Sequence, residues 1–253
     1  MLSNAVVLFL RDALPIFWSL ALLVVLIAKW PKWLVPGSIV GLILSFLVFQ
    51  EIGTVSSWFD GNGYEFFQIS LHILSYLIFA GIYCFVNTTQ NKTSLLLMAA
   101  AVSTCIIVLN TTNAMVFFSS FWRLDGNNSS LFIGLALGVG ICTSIATLLV
   151  LLLKPLTSFT VSKGLLLLFV SGQVAHIANL LQQINWITSE QLWNSSQIIS
   201  DENEVGEFLA TLFGYESSPT SAYLSIYLIA LIAPLIVSLL LNRTTHTNLE
   251  PRL

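Results

Sequence analysis

The residues in this chain able to do chemistry are few, and they sit inside apolar sequence. Arg11 and Asp12 follow one another in the first apolar run. Asn110, Thr111, Thr112 and Asn113 interrupt a later one, with CIIVL before them and AMVFF after. His72 and His176 each stand alone in further apolar runs. A carboxylate with amide and hydroxyl oxygens suits a hard cation, and a histidine ligates metals or carries a proton. Two histidines on separate helices could hold a metal or a haem, although bundle haem sites usually present more ligands. Each group also has a plain structural reading. Arg11 and Asp12 could snorkel to the interface and anchor their helix. The Asn–Thr run could make interhelical hydrogen bonds, and a lone membrane histidine could do no more than that. Glu65, close to Gln68, reads either as an entry ligand or as a solvated glutamate. With no nucleophile–base set, glycine-rich phosphate loop or metalloprotease helix in the sequence, an enzyme is not expected.

The elements that must position these residues are set by composition. Only 8% of the 253 residues are charged and 56% are hydrophobic, against roughly 25% charged in a soluble domain. The apolar residues come in long runs of near 20 residues separated by short polar stretches, the pattern of a polytopic helical membrane protein. The runs predict an all-α bundle forming a single transmembrane domain with seven spans, Ala5–Ile27, Trp33–Gln50, Tyr64–Val86, Ser94–Phe121, Ser130–Leu153, Gly164–Ile184 and Ala222–Leu241. Cys84, Cys105 and Cys142 lie inside apolar runs without metal-finger spacing and read as small buried hydrophobes. The first run carries Arg11 and Asp12 near its start and has no small-residue cleavage site, so it reads as retained. Gly134 and Gly138, like Ser171 and Ala175, are spaced for close helix packing.

Span length places the charged pair. The residues between Asp12 and Lys29 make about 24 Å of helix, short of the ~30 Å hydrocarbon core, so Arg11 and Asp12 fall within the membrane or at its edge. An intramembrane charge costs about 2.5–3.5 kcal/mol on insertion scales and usually faces a cavity or a partner. Neighbours on a helix point about 100° apart, so each of the two is expected to find its partner on another helix or in water. Asp12 is expected to be the one carboxylate inside the membrane. Pro15 lacks the N–H that would bond the Arg11 carbonyl. With the N-terminus outside and the C-terminus cytoplasmic, Lys29, Lys32, Lys92, Lys154, Lys163, Arg243 and Arg252 fall inside and Arg123 outside, as the positive-inside rule requires. Most acidic residues, Asp125 and Glu202 among them, then fall on the outer face, where they would concentrate cations. The one long loop, residues 185–220, also lies outside, and its alternation of apolar and acidic residues predicts short interfacial helices. Within it Phe208, Leu209, Leu212 and Phe213 form one apolar face expected to be buried. Sequons at Asn127–Asn128–Ser129–Ser130 and Asn194–Ser195–Ser196 matter only in a eukaryotic secretory pathway.

The stretches LLQQINW and LWNSSQIISDENEVGEFLATLFGYESSPT, followed by a last apolar helix, resemble the C-terminal third of the high-affinity iron permeases, the oxidase-dependent iron transporter family that includes the bacterial EfeU permeases. The resemblance implies seven spans with the N-terminus outside, a bacterial inner membrane, iron as the ion, an outer-side oxidase or cytochrome-type partner, and two Arg-Glu-Gly-x-Glu motifs in the first and fourth spans. It also implies an inverted three-helix repeat plus a seventh helix, with Arg11, Asp12, Asn110 and Asn113 converging at the repeat interface. The motifs depart from the family pattern. The first falls on Arg11, Asp12, Ala13, Leu14 and Pro15, and the second on Asn110, Thr111, Thr112, Asn113 and Ala114. One aspartate stands where the pattern has four glutamates, which disfavours a trivalent ion. Two readings therefore stay open: a cation permease with an altered site, or a transport-inactive relative serving as a structural or docking subunit of a larger membrane complex. Asp12 is the expected metal ligand, and Arg11, Asn110, Thr111, Asn113, Glu65, His72 and His176 the expected pathway. Lipid and a metal cation are the expected partners, with other membrane subunits possible and nucleic acid not expected.

Overall fold

The computed structural model describes residues 2–86, 92–124, 129–156, 159–201 and 203–247. Asp125, Glu202, Arg252, Asn127 and Asn128, used above, lie outside the described residues. Among the described residues seven helices are long and apolar enough to cross a membrane: α1 (Leu2–Leu26), α2 (Pro31–Gln50), α4 (Gly63–Phe85), α5 (Lys92–Leu124), α6 (Ser129–Leu156), α7 (Phe159–Gln183) and α9 (Ser221–Thr247). Two short helices complete the fold among the described residues, α3 (Ile52–Ser56) and α8 (Glu204–Phe213), with a single 3₁₀ turn at Phe59–Gly61. The chain is an all-helical bundle of seven candidate spans.

Burial divides the spans into two sets. About half of the spanning residues of α1, α5 and α7 are buried (56%, 50% and 56%), against 22%, 22%, 11% and 17% for α2, α4, α6 and α9. The outer helices turn continuous apolar faces outward, such as Ile39, Ile43, Phe46 and Leu47 of α2 and Ile229, Ile232, Ile236 and Leu239 of α9. Water would not tolerate patches of that extent, whereas lipid tails match them.

Inside a bilayer, helices associate by close packing and hydrogen bonding. The α2–α5 pair uses both. A Cβ on Gly37 would stand 2.8 Å from the Ala100 carbonyl, and one on Gly41 2.9 Å from the Ile107 side chain. The approach lets Thr104 Oγ1 donate to the Gly37 carbonyl at 3.1 Å and Ser45 Oγ to the Ile107 carbonyl at 3.3 Å. Gly138 does the same for α6, where an added Cβ would lie 3.0 Å from Phe9 of α1. Helix contacts follow a two-fold pattern. Exchanging α1, α2 and α4 for α5, α6 and α7 maps the α1–α6 pair onto α5–α2 and the α4–α5 pair onto α7–α1, and all four pairs touch. That is the arrangement an inverted three-helix repeat requires, with α9 added against α7 and α4. The helices bearing the two polar interruptions, α1 and α5, are in direct contact.

The segment between α7 and α9 departs from the interfacial helices expected of it. Residues 191–195 run antiparallel to 217–220, joined by Leu192 N–H to the Pro219 carbonyl (2.9 Å) and Ser195 N–H to the Ser217 carbonyl (2.8 Å). The Asp201 carboxylate accepts from Ser217 N–H at 2.9 Å and from Ser217 Oγ at 2.5 Å. From this base α8 enters the bundle. Its C-terminal Phe213 meets Trp18, midway along α1, with ring centroids 6.4 Å apart. Gly214 then packs against Gly172, midway along α7. Leu212 is fully buried and Phe208 and Phe213 pack on the main apolar core, whereas Leu209 is half-buried. Gly214 ends the helix at φ +68°, a conformation glycine adopts without strain, and its N–H bonds the Ala210 carbonyl at 2.9 Å. The segment is a re-entrant helix buried in protein, the setting in which a chain can turn back at membrane depth.

Candidate functional site

A cavity of about 490 Å³ opens into the half of the bundle that holds the N-terminus of α1. The far half is filled by the main apolar core, including Leu22, Leu23, Trp33, Ile82, Val102 and Leu166. Polar side chains from four spans and from the re-entrant segment line the cavity. They are Arg11 and Asp12 of α1, Gln68 and His72 of α4, Asn110 and Asn113 of α5, Gln173, His176, Asn179 and Gln183 of α7, Glu207 and Thr211 of α8, and Asp201. Arg11, Asp12, Asn110, Asn113, His72 and His176 thus surround one space.

On α1 the structure corrects the expectation that adjacent residues cannot pair. Arg11 Nε lies 3.2 Å from Asp12 Oδ1, because the long arginine stem bends the head across the 100° between neighbouring positions. The same nitrogen lies 4.0 Å from Glu207 Oε1. Glu207 is the second carboxylate beside Asp12, so Asp12 is not alone at this depth. The exposures differ sharply: the Arg11 side chain is 48% accessible and that of Asp12 only 7%. Asp12 Oδ2 is buried with no hydrogen-bond partner among the described residues.

On α5 the helical period separates the four polar residues. Asn113 Oδ1 accepts from Tyr64 Oη at 2.6 Å and from Gln68 Nε2 at 2.9 Å, and Asn110 Nδ2 donates to the Ile106 carbonyl at 2.9 Å. Thr112 is buried, with its Oγ1 unpaired among the described residues. Thr111 is not part of the polar site. It lines a separate apolar hollow of about 730 Å³ with Phe46, Phe49 and Phe118, since one helical step turns it away from Asn110. Glu65 also lies outside the cavity lining, whereas Gln68, one turn further along α4, is part of it.

The two histidines sit at the inner end of the cavity. His72 Nδ1 faces the Gln68 carbonyl at 2.9 Å. A carbonyl only accepts, so Nδ1 carries the proton, and Nε2 is the nitrogen able to offer a lone pair. His176 stands edge-on to Tyr223 with centroids 6.0 Å apart, and Tyr223 Oη donates to the Gly214 carbonyl at 3.0 Å. Gln173 Nε2 donates to the Thr211 carbonyl at 3.3 Å, tying α7 to α8 at the cavity wall.

Gln173, Asn179 and Gln183 are not among the residues expected at the site, although with His176 they are spaced three, three and four apart and form one polar stripe on an apolar helix. By sequence Asp201 and Glu207 belong to the acidic outer loop, where no local signal marks them as cavity residues. Among the described residues no three His, Cys, Asp or Glu side chains are grouped as a ready-made metal site. What the cavity offers is a mixed set of carboxylate and amide oxygens, imidazole nitrogen and space for water. Compared with protein-family models, curated proteins and solved structures, the chain matches none.

Proposed function

We propose that the protein is a permease of the iron-permease type whose altered site takes a divalent cation, admitted with part of its water shell and held at Asp12. The observation that carries this reading is Asp12 Oδ2, a carboxylate oxygen without a hydrogen-bond partner among the described residues, buried at the edge of a polar cavity. An ionised oxygen left so is costly, and an incoming cation would relieve it. The cavity volume has room for on the order of ten to twenty waters, so an ion can enter hydrated and exchange part of its shell for amide oxygens of Asn110, Gln68 and Gln173. Carboxylate, carbonyl and water ligands suit Mg²⁺, Ca²⁺ or Mn²⁺, and the imidazoles of His72 and His176 extend the range to Fe²⁺. The family resemblance supports the reading. The motif positions now held by Pro15, Thr111 and Ala114, where the family pattern has glutamates, argue for an ion of lower charge than ferric iron. By the positive-inside rule the cavity opens to the outside of the membrane, with the C-terminus cytoplasmic, and the resemblance points to a bacterial inner membrane.

One observation favours the second reading, a transport-inactive structural or docking subunit. Arg11 lies between Asp12 and Glu207 and so clasps α8 to α1. Uptake of Mn²⁺ and Fe²⁺ by the purified protein in liposomes separates the two. A permease takes up at least one of these ions, loses uptake in Asp12→Asn, and keeps a reduced rate in Asn110→Ala and Asn113→Ala. A structural subunit shows no uptake and no stoichiometric metal, and Asp12→Asn then acts through stability alone. Uptake that survives Asp12→Asn unchanged refutes the site.

A further inference from the structure

Beneath the polar cavity lie two smaller voids of about 10 Å³ each. The first shares His72, Leu109, Asn110 and Gln173 with the cavity and adds Phe79, Ile106, Phe169 and Val170. The second shares Phe79 and Val170 with the first and reaches Tyr76, Tyr83, Leu166 and Pro234. Along α4 the lining residues advance from Gln68 through His72 and Phe79 to Tyr83, about 22 Å at 1.5 Å per residue. Along α7 they run in the opposite sense, from Gln183 through Gln173 and Val170 to Leu166. The three spaces therefore line up along the helix axes, from Gln68 to Tyr83 of α4. Tyr83, at the far end, carries Lys163 Nζ 4.7 Å above its ring.

We infer that these spaces mark a translocation route that starts between α4, α5 and α7 and continues between α4, α7 and α9, closed midway by a gate of Phe79, Ile106, Phe169 and Val170. All four gate residues are buried, at 3%, 5%, 1% and 4% accessibility. A void of this size is at the lower bound for holding one water: its polar residues His72, Asn110 and Gln173 are those shared with the cavity, Ser75 Oγ donates to the His72 carbonyl at 2.9 Å, and the four gate residues themselves give a water no polar partner. An ion would have to shed its hydration to pass, so the constriction is shut to ions while it stays dry. The wall beside it is built to give way. Pro234 of α9 has no N–H to offer the Ala230 carbonyl, and Tyr76 Oη donates to that carbonyl at 3.1 Å instead. One side-chain hydrogen bond thus stands in for a rung of the helix ladder next to the gate, a recurrent place for a helix to bend.

The route rests on the permease reading only for what passes through it, and its test uses no cation substrate. Cys84, Cys105 and Cys142 are replaced by alanine, and single cysteines are offered to a membrane-impermeant methanethiosulfonate reagent from the side of the N-terminus. Gln173→Cys is expected to label and Val170→Cys to be protected. Adding Phe79→Ala is expected to abolish the protection of Val170→Cys. If that variant is not monodisperse, Phe169→Ala, which opens the same constriction, takes its place. Labelling of Val170→Cys with the gate intact, no labelling of Gln173→Cys, or protection that persists in the enlarged variants overturns the inference. Absence of uptake of both Mn²⁺ and Fe²⁺ would sink the permease reading and leave these labelling results unchanged.

Discussion

Gly172→Ala and Gly164→Ala are the same substitution on one helix, eight positions apart, and the structure assigns them opposite signs. At Gly172 the new Cβ would stand 2.6 Å from Gly214 N, 2.7 Å from Gly214 Cα and 3.0 Å from the Phe213 carbonyl carbon. Ordinary carbon contacts lie at about 3.5–4.0 Å, and the opposing atoms are backbone, so relief requires α8 to move by roughly 1 Å. Overpacking of this kind costs about 1–3 kcal/mol, against a gain of about 0.5–1 kcal/mol for replacing a helical glycine. The balance is a net loss of about 1–2 kcal/mol, concentrated where α8 meets α7. Displacing α8 strains the Gln173–Thr211 and Tyr223–Gly214 hydrogen bonds and the Trp18–Phe213 contact together. At Gly164 nothing lies within 4 Å of the added Cβ, so the propensity gain of about 0.5–1 kcal/mol stands alone. Thermal denaturation in detergent reads the sign, and limited proteolysis within Phe208–Phe213 reads whether α8 has left its seat. Gly172→Ala is expected to lower the midpoint and expose α8, and Gly164→Ala to raise or preserve it. Equal shifts of the two midpoints, or a Gly172→Ala protein whose α8 stays protected, would refute the re-entrant packing.

Tyr76→Phe removes the donor that serves the Ala230 carbonyl opposite Pro234, and leaving that acceptor unsatisfied costs about 1–3 kcal/mol. The loss is expected in the denaturation midpoint, whereas Tyr83→Phe, for which no such bond is seen among the described residues, serves as the control. Glu216 gives the segment between α7 and α9 a pH dependence. Burial raises its pKa above the ordinary 4.5, with the Asn179 hydrogen bond opposing and the Asp201 charge adding. A carboxyl whose pKa is raised in the fold contributes stability that is complete below the unfolded value and is lost as pH climbs through the folded one. Proteolysis of this segment is therefore expected to quicken as pH rises from about 4.5, and Glu216→Gln to flatten the profile. A profile as steep in the variant as in the wild type would count against Glu216.

Much of the scaffold was legible in the chain because membrane solvation imposes it. A helix that must satisfy its own backbone in lipid announces itself as a run of about 20 apolar residues, and the seven spans follow from that constraint. The same physics marks Arg11, Asp12, Asn110 and Asn113, since polar groups at membrane depth are too costly to be placed at random. What the linear pattern could not supply is rotation and depth. Thr111 turns to an apolar hollow while Asn110 faces the cavity, a matter of one helical step decided by how α5 packs on α2 and α1. Glu207 becomes the neighbour of Arg11 only because Gly172 and Gly214 let α8 sink to mid-bundle. In sequence it belongs to an acidic loop like any other. Local composition determines which segments enter the membrane. Which of their faces meet is a property of pairwise close approach between residues far apart in the chain, and only the tertiary structure decides it.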